Sequence, residues 1–443
     1  MKINIIKDFF NINPLFFVTF IFFLIAIFYS PALVNFFYLI LLTLFIYKVY
    51  IKEINLNINF NISFILQIIF CSYLILNSFI LNEDISISYK SLFYFRFFLA
   101  AYIISIILIK NDHTLSYISL IFMLCSIFLS IDIIYQSQTG RDFFGFEAGL
   151  CSYPNGSWEI DPKFCERFSG FFGSEYIAGT FLSTYGLFFL YLFFNKLKKT
   201  ITVKFFIFLF LILILISIII TGERNAFLGV IIIFAFNLLF NKKIRKYLFF
   251  TIITFLLILS LSFKKFEHVK HRYVSWPVSV IESKDGNIFK KLLQTPWGNH
   301  YLTSYEIFTA NKLFGSGFKS FRNECKKNNY SFEQLNIKYD LKLKYSGCST
   351  HPHNMYLEIL TETGIVGFII FLMIIYFILF NPYIKNIKYF KDKELVIFTL
   401  SIIASILFPL KPTGSFSSTI FSTNIWFFIG SYLYFVNNLK YKK

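Results

Sequence analysis

Residues 205–240 read FFIFLFLILILISIIITGERNAFLGVIIIFAFNLLF, two long apolar runs joined by a short polar turn. An α-helix needs about 20 mainly apolar residues to cross a bilayer, and a shorter one can cross where the membrane is thin. Each run therefore predicts a membrane-spanning helix, with the turn at 221–224 between two consecutive spans. The same pattern recurs along the chain.

The composition of the whole chain indicates a polytopic membrane protein. Of its 443 residues, 56% are hydrophobic, 64 are Phe and only 15% are charged, which is more apolar surface than a soluble domain needs. The sequence predicts an all-α polytopic membrane protein with about twelve transmembrane helices. The twelve apolar runs lie at residues 15–30, 32–47, 62–81, 92–109, 115–135, 176–194, 205–221, 225–240, 248–263, 356–380, 395–410 and 419–436.

Lys and Arg concentrate in alternate loops, which predicts the orientation of the chain in the membrane. With both termini in the cytoplasm, the basic loops face the anionic lipids of the inner leaflet. The formal charge of +18 then requires no nucleic acid as a partner. The first run lacks a small-residue cleavage site, so we interpret it as span 1 and not as a removable signal peptide. The basic segments are KVYIKE (48–53), KNDH (110–113), NKLKKTITVK (195–204), NKKIRKY (241–247), NPYIKNIKYFKDKE (381–394) and NNLKYKK (437–443).

Two outer segments are too long to be turns, and they divide the chain into five parts. The second is large enough to form a small folded cap, which we expect to be helical, between helices 9 and 10. The parts are helices 1–5 at residues 1–135, a first outer loop at 136–175, helices 6–9 at 176–263, a large outer loop at 264–355 and helices 10–12 at 356–443.

Four of the six cysteines lie in these outer loops, two in each. An oxidising outer compartment favours disulfides between Cys151 and Cys165 and between Cys325 and Cys348. A metal site is the alternative, although no Cys-x-x-Cys spacing supports it. The other two cysteines lie inside spans, where a thiol behaves as a small hydrophobe.

Arginine is rare among the 42 basic residues, and its positions suggest a ligand. A guanidinium is planar and permanently charged, and it holds phosphate through two parallel hydrogen bonds, whereas Lys is a point charge. Six of the seven arginines fall on the outer side, several at the ends of different spans, as a lipid-linked phosphate or diphosphate would require. The alternative for each is a cation that reaches lipid headgroups or caps a helix. Our candidates for binding substrate are Arg96, Arg167 and Arg322, and Arg224 is a candidate catalytic residue.

A second polar cluster lies in HPHNMYLEILTETGIVG, residues 351–367, where a long apolar run begins. Pro352 blocks helix and Asn354 is a good N-cap, so a helix should begin there with its positive end toward the outer side. An imidazole near neutral pKa suits the removal of a proton from a sugar hydroxyl, which makes His353 a candidate base. His351 and Asn354 are candidates for contacting substrate. The alternative is that both histidines are ordinary loop residues.

These motifs resemble a known family. His353 and Asn354, followed after nine residues by Gly364 and Gly367, resemble the signature that ends the large periplasmic loop in the O-antigen ligase family, which includes O-antigen polymerase-like proteins. The resemblance covers the chain from about residue 60 to its end. Each motif is loose alone, but their order on a matching topology is specific. The other matching stretches are IDIIYQSQTGRDFFG (131–145), RFSGFFGSEYIAGTFL (167–182), TGERNAFLG (221–229), KLFGSGFKSF (312–321) and LKPTGSF (410–416).

The resemblance implies a metal-independent membrane glycosyltransferase of the GT-C type, with no cofactor. Such enzymes move a glycan from undecaprenyl diphosphate to an acceptor hydroxyl at the periplasmic face of the bacterial inner membrane. On this model the long outer loops are periplasmic. His353 is the base or orients the acceptor, while Arg224 and Arg167 bind the diphosphate. Guanidiniums can stabilise the charge of that leaving group without a metal.

Two carboxylates have more than one possible role. Glu223 either pairs with its neighbour Arg224 or faces away from it. Glu175 is a second acid or base, an arginine partner in the substrate site, or a carboxylate that supports the start of span 6, which is the interpretation we favour.

Three functions remain open. An O-antigen ligase transfers a finished polymer once to lipid A–core, and we favour it because the large loop ends in the His-Asn motif. A polymerase uses a second lipid-linked repeat as the acceptor. A transporter or flippase of a lipid-linked glycan would need charged or broken helices near the middle of the membrane, whereas the polar residues of this chain gather on one face.

Overall fold

The structure is a computed structural model, and it describes residues 14–52, 62–82, 84–110, 112–151, 165–197, 200–265, 267–282, 287–386 and 393–438. The first outer loop and all of the basic segments except 241–247 lie partly outside these residues. The described part of the chain is almost entirely helical.

Helices follow one another along the chain. In order they are α1 (Pro14–Ala26), α2 (Pro31–Tyr50), α3 (Ile62–Leu81), α4 (Ile85–Ser88), α5 (Phe95–Lys110), α6 (Asp112–Thr139), α7 (Ala178–Phe181), α8 (Leu187–Lys196), α9 (Ile201–Ile220), α10 (Arg224–Phe240), α11 (Arg245–Lys265), α12 (Glu267–Lys270), α13 (Trp276–Glu282), α14 (Ile288–Leu293), α15 (Pro296–Ala310), α16 (Phe321–Glu324), α17 (Phe332–Tyr339), α18 (Met355–Ile375), α19 (Asn381–Asn386), α20 (Lys393–Ile406) and α21 (Thr419–Asn438). Strands β1 (Gly149–Cys151) and β2 (Cys165–Arg167) pair antiparallel. The π-helical turns are Leu182–Gly186, His271–Ser275 and Tyr376–Phe380, and the 3-10 turns are Tyr89–Phe93, Gly170–Phe172 and Asn328–Tyr330.

Nine helices among the described residues are long and apolar enough to cross a membrane, judged by length and composition. Three shorter apolar helices, Leu15–Ala26, Arg224–Phe240 and Glu394–Ile406, stand where the sequence predicts spans 1, 8 and 11. The chain is thus an all-α polytopic membrane protein, as predicted. The nine are Pro31–Tyr50, Ile62–Leu81, Ile85–Ile106, Leu115–Thr139, Ala178–Asn195, Ile201–Ile220, Arg245–Lys264, Met355–Ile384 and Thr419–Asn437.

The described helices belong to two compact units, each assembled from separate stretches of sequence. The first unit takes in Asn111–Glu282 and Lys393–Leu407. The second takes in Asn13–Lys110, Ser283–Asp392 and Phe408–Lys443.

In the first unit α6 packs against α8 and α9, and α10 packs against α20. The second of these contacts contains a buried hydrogen bond of 2.7 Å from Asn237 Nδ2 to Ser401 Oγ. Such bonds hold membrane helices together because lipid offers a polar side chain no partner. A disulfide between Cys151 and Cys165 joins β1 to β2, which is one of the two pairings that the sequence predicts.

In the second unit α5 packs against α21, while α18 packs against α3 and α15. The predicted large outer loop contains the helices α12 to α17, and in the second unit it has a small core of its own. The other predicted disulfide, Cys325–Cys348, lies in this part of the chain. The core consists of Leu302, Leu335, Leu341 and Leu343.

Helix α18, which stands where the sequence predicts span 10, is broken at Gly364. Gly364 adopts φ 65° and ψ −171°, a region open essentially only to glycine. The break allows the amides of Ile365 and Val366 to donate to the carbonyls of Lys312 and Leu313, at 2.9 and 3.2 Å. Gly364 therefore admits the backbone of a loop segment.

That segment is the KLFGSGFKSF motif, which is held from two sides. From α18, the carboxylate of Glu362 accepts the amide of Lys319 at 2.7 Å. From α3, Asn77 donates to the carbonyl of Phe314 at 2.6 Å and accepts the amide of Phe318 at 2.9 Å. The motif thus docks between α3 and the break in α18.

Candidate active site

Two arginines of the first unit meet at one backbone oxygen. Arg167 ends β2, and Arg272 lies in the π-helical turn that follows α12. Arg167 Nη1 and Arg272 Nε both donate to the carbonyl oxygen of Gly222, each at a distance of 3.3 Å. Gly222 has φ 67°, and a Cβ there would lie 2.3 Å from the carbonyl of Glu166. Only glycine therefore fits the turn that brings the two guanidiniums together.

A third arginine stacks on an aromatic ring close by. Arg224 opens α10, and its guanidinium carbon lies 4.0 Å from the ring centroid of Trp276. The charges of Arg272 and Arg167 both act on Arg224. Arg167 similarly lies over Tyr176, at 5.0 Å. A guanidinium that stacks by its face keeps its N–H edge available for an anion. We call Arg167, Arg224 and Arg272 the arginine cluster.

The carboxylates near the arginine cluster compensate it only in part. Glu166 pairs with Arg272 at 3.2 Å and with His271 at 2.9 Å. Burial lowers the pKa of Arg167, and the positive charge of Arg272 lowers it further. The cluster is therefore short of negative charge, which is the condition for binding an anion.

Of the two roles open to Glu223, pairing with Arg224 or facing away from it, the structure shows the second. Its buried carboxylate accepts the amides of Gly179 and Thr180, at 2.7 and 3.1 Å, and the hydroxyl of Thr180 at 3.0 Å. It thus supports the start of α7. Glu175, the carboxylate that we favoured for this role, is exposed, and the hydrogen bonds at that helix start come from Glu223.

Three histidines of the second unit lie together beside a tryptophan. The ring centroid of His353 is 4.2 Å from that of His351, 5.1 Å from that of His300 and 4.8 Å from that of Trp297. Trp297 and His300 lie one turn apart on α15, so they face the same way. His300 Nδ1 is 2.7 Å from the carbonyl of Gly347 and so carries the hydrogen. We call His300, His351 and His353 the histidine cluster.

The backbone fixes His353 firmly. It adopts φ 55°, a left-handed conformation that is rare outside glycine, and its carbonyl accepts the amide of Thr413 at 2.8 Å. Asn354 caps α18 as predicted, since its Oδ1 accepts the amides of Tyr356 and Leu357. Its Nδ2 donates to the carbonyl of Pro409 at 2.7 Å. Asn354 is thus buried and fully bonded, and it positions His353.

Glu358, one turn inside α18, completes this anchor. Its buried carboxylate accepts the hydroxyl of Ser415 at 2.6 Å and the amide of Phe416 at 2.7 Å. The amide of Met355 donates to Thr413 Oγ1 at 2.8 Å. The HPHN and LKPTGSF motifs, far apart in sequence, therefore form one structure.

The surroundings of His353 keep it neutral. Burial, followed by the nearby charges of His351 and His300, lowers the pKa of His353 to about 4. Burial also lowers the pKa of His351. At neutral pH this imidazole is neutral and can accept a proton, but it is a weaker base than the imidazole of near-neutral pKa that the sequence predicts.

The remaining predicted arginines lie elsewhere in the second unit. Arg96 donates to Thr419 Oγ1 at 3.0 Å and lies over Phe97 at 4.6 Å. Arg322 is exposed on α16, and its charge acts on His351. Arg322 is therefore near the histidine cluster, whereas Arg96 links α5 to the start of α21.

Two residues of the clusters, Arg272 and His300, and the two tryptophans beside them, Trp276 and Trp297, were not among the predicted site residues. Arg272 is one of only seven arginines, and the two tryptophans are half of the four in the chain, so rarity was the available signal. No set of three or more His, Cys, Asp or Glu side chains in the described ranges has an arrangement that could hold a metal ion.

Comparison with known proteins agrees with the resemblance that the motifs suggest. The family model described as O-antigen ligase matches residues 208–372. The matched segment includes Arg224, Arg272 and the whole histidine cluster. No curated protein matches the chain. The segment 208–372 of this chain is therefore similar to the O-antigen ligase family.

Proposed function

We propose that the protein is a glycosyltransferase of the bacterial inner membrane. It moves a glycan from undecaprenyl diphosphate to an acceptor hydroxyl at the periplasmic face, and the acceptor that we favour is a sugar of lipid A–core. The reaction is then O-antigen ligation. The observation that carries the proposal is the arginine cluster, in which two guanidiniums share the Gly222 carbonyl and a third lies over Trp276.

A diphosphate leaving group accounts for the arginine cluster. Glu166 pairs with Arg272, and Glu223 is occupied at the start of α7, so positive charge is in excess. Each guanidinium can bind two oxygens of a diphosphate. When the bond from the anomeric carbon to the phosphate oxygen breaks, its electron pair stays on the diphosphate. Guanidiniums held in place stabilise that charge, so the reaction needs no metal.

His353 is the proposed base. Its neutral imidazole takes the proton of the acceptor hydroxyl while the acceptor oxygen forms its bond to the anomeric carbon. A positioned base contributes about 10²–10⁴ in rate.

We further propose that all twelve apolar helices cross the membrane in a GT-C-like arrangement. Both termini are then cytoplasmic, residues 136–175 and 264–355 are periplasmic loops, and 1–135, 176–263 and 356–443 are the membrane parts. The alternation of basic loops supports this topology. The three short helices would cross with the help of flanking residues or in thinner membrane.

Deletion of the gene, followed by a gel of surface polysaccharide, tests the proposed reaction. Ligation predicts that full-length chains remain on the lipid carrier and that the core carries no polymer. A core that bears a single repeat identifies a polymerase instead, with a second lipid-linked repeat as its acceptor. Lipid-linked glycan that accumulates on the cytoplasmic side identifies a flippase.

Chelation tests the absence of a metal requirement. Purified protein should transfer glycan in the presence of EDTA at the same rate as without it. A loss of transfer that a divalent cation restores would contradict the metal-independent reaction.

A further inference from the structure

A cavity of about 260 Å³ lies within the first unit, and none of its lining residues belongs to the arginine cluster. The lining comes from α8, α9, α10, α11 and α20, together with the turn before α11. Most of it is aliphatic or aromatic, including Leu187, Phe194, Phe208, Leu211 and Phe234. This cavity has no role in the proposed glycan transfer.

The charged residues of the lining all stand at helix ends. Lys204 is in the first turn of α9, Lys243 precedes α11 and Glu394 begins α20, while Asn195 is near the end of α8. The apolar lining residues of these helices lie further from those ends. The cavity therefore has a charged mouth and an apolar interior, at the side that the basic loops assign to the cytoplasmic leaflet.

The charge at this mouth is positive. Lys243 pairs with Glu394 at 3.2 Å, but the side chain of Lys243 is 59% exposed, and an exposed pair of this kind is weak. Among the described residues Lys204 has no carboxylate partner, and it lies 5.9 Å from the ring centroid of Tyr247. An adjoining groove, which shares Phe250 with the cavity, adds further basic residues: Lys242, Arg245 and Lys246.

We propose that this cavity binds an anionic phospholipid of the membrane, with an acyl chain in the apolar interior and the headgroup phosphate on Lys204 and Lys243. Basic pockets between membrane helices at the cytoplasmic side bind such headgroups. The phosphate displaces Glu394 from Lys243, because two lysines offer it more positive charge than one lysine offers a carboxylate. The inference concerns a site separate from glycan transfer and holds whether or not the proposed reaction is correct.

Native mass spectrometry of the purified full chain tests this site, with phosphatidylglycerol as the anionic probe and phosphatidylethanolamine as the zwitterionic one. The wild type should retain phosphatidylglycerol preferentially. The double variant Lys204→Gln/Lys243→Gln should lose that preference by about 25-fold, since a lysine near an anionic lipid contributes about fivefold. The matched control Lys326→Gln/Lys344→Gln removes two exposed lysines of the second unit and should change nothing.

Two further variants separate charge from shape. Ile207→Trp fills the cavity and leaves both lysines in place, so it should also lose the lipid. Glu394→Gln removes the competing carboxylate and should retain at least as much phosphatidylglycerol as the wild type. Equal retention of the two phospholipids by the wild type, unchanged retention in the double lysine variant, or preferential retention of added polyprenyl phosphate would each overturn the assignment.

Discussion

Arg167 and Arg272 donate to the same carbonyl oxygen, that of Gly222, each at a distance of 3.3 Å. One comes from a β-strand and the other from a helical turn more than a hundred residues later, and the charge of Arg272 adds to burial in lowering the pKa of Arg167. Two half-buried cations on one acceptor repel each other. A bound anion removes that repulsion, so the geometry favours binding of a diphosphate.

Arg272 should be as important for transfer as the two arginines that the motifs indicate. We expect Arg272→Ala to lower kcat/KM for the lipid-linked donor by about 10²–10³. This is the usual loss when one fixed hydrogen-bond donor to a developing charge is removed. Arg272→Lys should recover only part, because an ammonium lacks the bidentate fork. Transfer assays on purified protein, with the concentration of the lipid-linked donor varied, give kcat and KM.

Arg245 is the matched control for this series. It is exposed at the start of α11 and donates to the carbonyl of Leu239 at 3.0 Å. Arg245→Ala removes the same charge and should leave kcat/KM unchanged. If Arg245→Ala and Arg272→Ala lose equal activity, the effect belongs to net charge and not to the arginine cluster.

The histidine cluster predicts an unusual pH profile. Because neighbours and burial lower the pKa of His353 to about 4, kcat/KM should stay level from pH 7 to about pH 5 and fall only below that. His300→Gln removes one of the neighbouring charges, so the acidic limb should move to higher pH. An acidic limb of kcat/KM near pH 6.5 in the wild type would contradict the proposed environment of His353. An acidic limb that does not move in His300→Gln would also contradict it.

The same pKa predicts how stability changes with pH. The unfolded chain binds a proton at His353 near the ordinary value of 6.5, whereas the folded protein does so only near pH 4. Between these values the unfolded state binds more protons, so the free energy of unfolding decreases as pH falls from 6.5 to 4. Thermal unfolding at a series of pH values should show that the free energy of unfolding decreases less over this range in His353→Gln than in the wild type.

Gly364 should tolerate no side chain. A Cβ at this position would lie 2.2 Å from the carbonyl of Leu313, in a backbone conformation that is nearly exclusive to glycine. Gly145 is the control, since it has φ 88° but nothing within 4 Å of its Cβ position. Gly145→Ala should cost about 1–2 kcal/mol of unfolding free energy from strain alone. Gly364→Ala should cost about 1–3 kcal/mol more from overpacking, and equal losses would refute the contact with Leu313.

Much of the fold could be predicted because its causes are local. Apolar runs long enough to span a bilayer require no knowledge of tertiary structure, and the helix start at Asn354 follows from Pro352 and the capping chemistry of Asn itself. The break at Gly364 could not be predicted in this way. It depends on carbonyls of Lys312 and Leu313, which approach only when the chain is folded.

Less of the site could be predicted, because most of its contacts join residues that are far apart in the sequence. Rarity of arginine and the His-Asn motif indicated Arg224 and His353. The role of Arg272 depends on a shared carbonyl at Gly222, and that of His300 on the packing of α15 beside His353. The orientation of Glu223 follows from amides of α7, so no inspection of its neighbour Arg224 could reveal it.

Single-turnover glycan transfer by purified His353→Ala tests the central claim most directly, with lipid-linked donor prebound and acceptor added in excess. The account predicts that the rate of transfer falls by about 10²–10⁴ while the affinity for the donor stays at the wild-type value, because His353 acts on the acceptor and the arginine cluster holds the donor. An unchanged rate of transfer in a folded variant would contradict it.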